Sequence, residues 1–139
     1  MIFMKIKAKI YLLCLLSLFT GCAQWQTIGS VKGENKVAYS VEKSSIVRNG
    51  NFAIFTSKAI YPSSRNVSYF PSHTAVLSTW EVNCKTKKYR LLKTQLLDKN
   101  ERVVMEERNN IEQHNQQKEF LDPPAPSSAM YLQQRYVCR

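Results

Sequence analysis

Between residues 36 and 107, apolar and polar side chains change places at nearly every second position. That is the period of a strand with one face against a core. Val37, Tyr39 and Val41 alternate with Ala38, Ser40 and Glu42. A short turn, Ser44-Ser45-Ile46-Val47, is followed by Arg48-Asn49-Gly50-Asn51, a hairpin signal because Asn and Gly both accept positive φ. The next strand, Phe52 to Tyr61, is apolar on both faces: Phe52, Ile54 and Ile60 on one, Ala53, Phe55, Ala59 and Tyr61 on the other. Such a strand is expected at the centre of a sheet, partly covered on both sides. Residues 62–73 are rich in turn formers and predict a loop carrying Tyr69 and Phe70. From Thr74 to Cys84, Val76, Trp80, Val82 and Cys84 share one parity, so the cysteine is expected on the core face. A basic hairpin tip, Lys85-Thr86-Lys87-Lys88, leads into a strand from Tyr89 to Leu97. Asp98-Lys99-Asn100-Glu101 turns the chain into a last strand, Arg102 to Glu107.

Beyond residue 107 the pattern changes. Residues 108–121 are polar, with Ile111 the single apolar side chain before Phe120, so a short helix is possible there but could bury little. Asp122-Pro-Pro-Ala-Pro126 is a stiff extended joint. Ser127 is placed as the N-cap of a helix running to Val137. Ala129, Leu132 and Tyr136 fall on one face of it, with Met130 and Val137 beside them. A helix this short is marginal in water without packing.

The other end of the chain carries a different signal. Lys5, Lys7 and Lys9 precede an apolar run from Ile10 to Phe19. A run of about 10 residues suits a signal peptide and is too short to cross a bilayer of about 30 Å as a helix. It ends in Leu18-Phe19-Thr20-Gly21-Cys22, which resembles a bacterial lipobox with Phe19 where Leu is usual. Residues 1–21 are therefore expected to leave, with Cys22 as the lipidated first residue. Ordinary secretion with cleavage elsewhere, or a core helix ending in Gly-Cys, are the alternatives. Ala23 after the cysteine, where Asp would mark inner-membrane retention, points to the outer membrane. Residues 22–35 suggest a tether, although Trp25 in it could dock on a domain spanning residues 36–139.

Removing 21 of 139 residues leaves 118, enough for one domain with one core. The chain has 20 basic and 10 acidic residues; three lysines leave with the signal, so 17 against 10 gives +7. A basic surface suits anionic partners. Export and the lack of a recognised motif argue against nucleic acid. With Cys14 discarded and Cys22 acylated, Cys84 and Cys138 remain in an oxidising compartment, where an even pair predicts a disulfide. Two free thiols are the alternative; zinc is disfavoured because neither His73 nor His114 is near a cysteine in sequence.

Catalytic chemistry finds little support. There is no GxSxG and no Gly-rich phosphate loop, and Glu106 and Glu107 face opposite sides of a strand. The chain is read as a non-enzyme without a cofactor. Lys85, Lys87, Lys88 and Arg90 at the basic tip are the first binding candidates, against the reading of a merely solvated hairpin. Tyr69 and Phe70 are the second, against burial on the sheet.

In order along the chain, Trp25-Gln26, Tyr39, Ser45-Ile46, the Asn49-Gly50-Asn51 hairpin, Trp80-Glu-Val-Asn-Cys84-Lys85, Tyr89-Arg90-Leu91-Leu92 and the Pro126-to-Cys138 segment resemble the surface-adhesin protein E family. The resemblance implies an α+β fold, an antiparallel β-sheet with a C-terminal helix tethered to it by Cys84–Cys138, in agreement with the pattern above. It also implies an outer-membrane lipoprotein that attaches to host extracellular-matrix or serum proteins, such as vitronectin, laminin and plasminogen, or to anionic glycans. The alternative is a periplasm-facing structural or assembly partner of an envelope complex. A homodimer is left open. Mass spectrometry of the membrane-extracted protein is expected to find an N-terminal peptide beginning at acylated Cys22; an unmodified Cys22 thiol would contradict the lipobox reading.

Overall fold

A computed structural model describes residues 24–31, 36–66, 70–109 and 120–139. Residues 1–21, expected to be the signal segment, and Cys22, Tyr69, Ile111 and His114 lie outside the described residues. Seven strands form one antiparallel sheet: β1 Trp25–Ser30, β2 Ala38–Glu42, β3 Val47–Asn49, β4 Phe52–Arg65, β5 His73–Asn83, β6 Tyr89–Leu97 and β7 Val103–Arg108. Their order is β1-β2-β4-β5-β6-β7, and the short β3 shares the β2 side of β4. Among the described residues, one α-helix, α1, spans Ala129–Val137. The antiparallel sheet and the disulfide-tethered helix are those expected from the sequence.

The register explains the core. Phe55 lies opposite Trp80, Ala53 opposite Val82, and Val41 opposite Ser57, all on one face. Val41, Phe55 and Val82 are fully buried there, under Met130 and Val137 of α1. Cys84 follows Trp80 and Val82 onto this face, as its parity demands, and bonds Cys138 just beyond the helix.

Four expectations need correction. The stretch read as a tether contains β1, which pairs with β2 from Trp25 opposite Glu42 to Ser30 opposite Ala38. A register shift between Thr27 and Gly29, with Gly29 at φ 128°, breaks its alternation and hides it from a period-two reading. Secondly, the loop begins later, because β4 runs on through Pro62 to Arg65 and pairs with β5 after a shift in register. Thirdly, β4 is central, but its second face is largely open. Phe52, Ile54 and Ile60 are 41%, 37% and 46% exposed, because the only helix among the described residues packs on the other side.

The fourth concerns α1. Its N-cap is Ser128, whose Oγ accepts the Tyr131 N–H at 3.2 Å; Ser127 instead takes a positive φ of 67° in the turn before it. Its buried face is Met130, Gln133, Gln134 and Val137, not Ala129, Leu132 and Tyr136. The disulfide sets this phase: Met130, Gln134 and Cys138 follow one another at four-residue spacing, so turning Cys138 to the sheet turns the other two with it. Gln134 is satisfied by donating from Nε2 to the Lys87 backbone oxygen at 2.9 Å.

On the open face, Lys58 brings together groups from both sides of β4. Its Nζ lies 4.2 Å from the centre of the Trp25 ring and 3.8 Å from Glu101 Oε1 in the β6–β7 turn. Trp25 thus docks on the domain. That turn is stiffened by Asp98, whose carboxyl is held below the usual range by the Arg102 backbone N–H, with the Asn100 N–H adding to it.

Replacing Cys84 and Cys138 together by Ser should remove about 4 kcal/mol of stability, the chain-entropy value for a 54-residue separation. Urea unfolding of the oxidised parent and the double variant measures it; a difference below about 1 kcal/mol would mean that packing alone seats the helix.

Candidate functional site

The basic tip is built by its own backbone. Asn83, the last residue of β5, accepts the Lys85 and Thr86 N–H groups on Oδ1 at 3.0 and 3.1 Å. Its main-chain oxygen accepts the Lys87 N–H at 2.7 Å, and its own N–H donates to Lys88 O at 2.8 Å. Lys87 sits at φ 67° to close this loop, and its oxygen is the one held by Gln134. The Cys84 N–H donates to Asn51 O at 2.7 Å, which ties the tip to the neighbouring hairpin. Lys85, Lys87 and Lys88 are all exposed on this fixed frame.

Arg90 is placed elsewhere. Register puts it opposite Glu81 on the open face, where Nη2 meets Glu81 Oε1 at 3.0 Å and the guanidinium lies 4.5 Å from the Phe120 ring centre. Both side chains are more than four-fifths buried, so Arg90 is committed to the fold. Phe70 is 47% exposed in the β4–β5 connection, at the opposite end of β5 from the tip, so the structure does not bring it to the lysines. Tyr69 lies outside the described residues. His73 is buried, with Nδ1 2.9 Å from Pro71 O and its ring edge-on to Tyr61.

The structure adds three cations to the end of the molecule that the disulfide closes. Arg48 of β3 donates from Nη1 to the Arg139 backbone oxygen at 3.2 Å, and its Nη2 lies 3.7 Å from Cys84 Sγ. Arg135 and Arg139 stack over Tyr131 and Tyr136, with guanidinium carbons 5.9 and 5.1 Å from the ring centres. Among the described residues, Lys58, Arg90, Lys93, Arg102 and Arg108 are in ion pairs; Arg48, Lys85, Lys87, Lys88, Arg135 and Arg139 are in none, nor are Lys36, Lys43, Arg65 and Lys99 elsewhere in the fold. Two clefts flank α1. One, of about 190 Å³, lies between Lys87, Pro123, Pro124 and Tyr131. The other, of about 340 Å³, lies between β1 and the helix and is rimmed by Arg135 and Arg139. Arg135 borders both. The spacing of Arg135 and Arg139 around Cys138 was the signal available in the sequence, since residues next to a bridged cysteine must travel with it.

A short helix pinned by a disulfide to an antiparallel sheet, with cations that are in no ion pair among the described residues around the pin, defines a small disulfide-closed α+β domain. The chain belongs to the surface-adhesin protein E family, whose model matches residues 25–139. Membership marks it as an adhesin-like protein of the cell envelope or surface. Comparison with curated proteins gives no match.

The two kinds of basic residue should separate in stability. Changing Lys85, Lys87 and Lys88 to Ala is expected to move unfolding by less than about 0.5 kcal/mol per site. Arg90→Ala, which strands a largely buried Glu81 carboxylate, is expected to cost on the order of 2 kcal/mol. Urea denaturation of the two variants makes the comparison; equal losses would remove the distinction drawn between tip and strand.

Proposed function

We propose that this chain is an outer-membrane lipoprotein, anchored through Cys22, that attaches the cell to host proteins or anionic glycans through its basic tip. The observation that carries this reading is the state of Lys85, Lys87 and Lys88. They stand on a backbone fixed by Asn83 and Gln134, exposed and without an ion-pair partner among the described residues. A fixed frame lowers the ordering cost of binding, and free ammonium groups supply steering toward acidic surfaces. Family membership supports an adhesive role over a catalytic one.

The test has two parts. Attachment of the protein to vitronectin-, laminin- or heparin-coated surfaces should fall about tenfold when the three lysines become Ala, and the difference should shrink as salt rises through the screening range. Protease added to intact cells should degrade the domain. Complete protection until the outer membrane is broken would favour the periplasm-facing assembly partner instead.

A further inference from the structure

The lysine tip leaves the second basic feature, the cleft between β1 and α1, without a role. Its walls are Ile28 and Tyr136, its strand side carries Gln26, and its rim holds Arg135 and Arg139. Both arginines are exposed, both guanidiniums are stacked on tyrosine rings, and neither is in an ion pair among the described residues. Stacking occupies a guanidinium's face and leaves its N–H edge free for an anion. The disulfide fixes where this edge is, because Cys138 lies between the two arginines.

We propose that this cleft rests on the anchoring membrane, with Arg135 and Arg139 binding the phosphates of anionic lipid headgroups. The inference rests on the reading of Cys22 as the acylated residue. With β1 starting at Trp25, only Ala23 and Gln24 lie between the anchor and the sheet, three Cα-to-Cα steps with a reach of at most about 10 Å. Gln26, in the wall of the cleft, is one residue further on. Whatever the domain's orientation, the cleft is therefore held within a few nanometres of the bilayer at a very high local concentration of headgroups. Charge and surface character match that location. Arginines meet phosphate oxygens in a fork geometry, and tyrosines such as Tyr136 favour the interface between water and acyl chains.

The lysine tip lies across the helix, so host attachment and membrane seating use different residues apart from the region around Arg135. The experiment removes the acyl chain so that headgroup binding is read by itself. The mature chain beginning at residue 22 with Cys22→Ser is sedimented with phosphatidylcholine vesicles and with mixed phosphatidylglycerol–phosphatidylcholine vesicles. Preferential binding to the anionic vesicles is expected, with Arg135→Gln/Arg139→Gln lowering it by about tenfold or more. Lys99→Gln/Arg102→Gln in the β6–β7 turn removes the same charge elsewhere and should change it by less than about twofold. Circular dichroism of both variants confirms that they are folded. Equal binding to neutral vesicles, or equal loss in the two double variants, would overturn the proposal. So would displacement from the vesicles by inorganic phosphate at matched ionic strength, which would make the cleft a site for a free anion. A negative result here leaves acylation of Cys22 standing, because that is read separately by mass on the membrane-extracted protein.

Discussion

The bond between Cys84 and Cys138 decides most of what this fold can be. A nine-residue helix is too short to hold together by itself, and this one turns two glutamines towards the sheet. Its apolar contribution to the core is Met130 and Val137, which cover Phe55, Val41 and Val82. Two side chains offer a few kcal/mol of burial, against the ordering of the whole segment that follows the last strand. The disulfide shifts that balance by removing freedom from the unfolded chain. It also fixes the rotation of the helix. That rotation decides that Gln134 lies under the lysine tip and that Arg135 and Arg139 border β1.

Strands were legible wherever alternation was strong and both partners were local. The parity of Val76, Trp80, Val82 and Cys84 locates the core face from sequence alone, and turn chemistry places the Asn49-Gly50-Asn51 hairpin. Alternation fails at β1 for a physical reason. Trp25 over Lys58 and Ile28 against the core differ in parity and so take opposite faces of the strand, and the register shift between Thr27 and Gly29 interrupts the alternation beyond them. The helix face was misread for the converse reason. Hydrophobicity favoured Ala129, Leu132 and Tyr136, but a covalent bond outranks the preference of a few side chains, and the glutamine it buried found a backbone acceptor. The open face of β4 shows a limit of composition: apolar side chains on two faces state that both could be covered, not that a second layer exists.

The basic site was half legible. Lys85, Lys87 and Lys88 stand together because four consecutive residues in a hairpin have nowhere else to go. Arg90 looked like their neighbour in sequence, yet it is already in β6, where register sets it opposite Glu81. Arg48 and the pair Arg135 and Arg139 come from two distant points of the chain and meet only because β3 pairs with β4 and the helix is bonded to the end of β5. No local window contains that juxtaposition. It requires the disulfide to be taken as a distance restraint on its neighbours.

The position of β1 changes the physical meaning of the anchor. A tether spanning residues 22–35 would let the domain range up to about 50 Å from the bilayer, at the extended limit of about 3.5 Å per residue. Pairing of β1 with β2 removes most of that length and leaves about 10 Å between Cys22 and the sheet. A domain on so short a lead samples few orientations, and weak contacts with the surface beside it become intramolecular events. With Cys22 acylated as proposed, the cations at the rim of the cleft near β1 would bias which side of the domain meets the membrane. The lysine tip, across the helix from that cleft, would then be presented in a restricted set of directions. On that proposal, anchor, disulfide and charge act on one quantity, the orientation in which the tip would meet a partner.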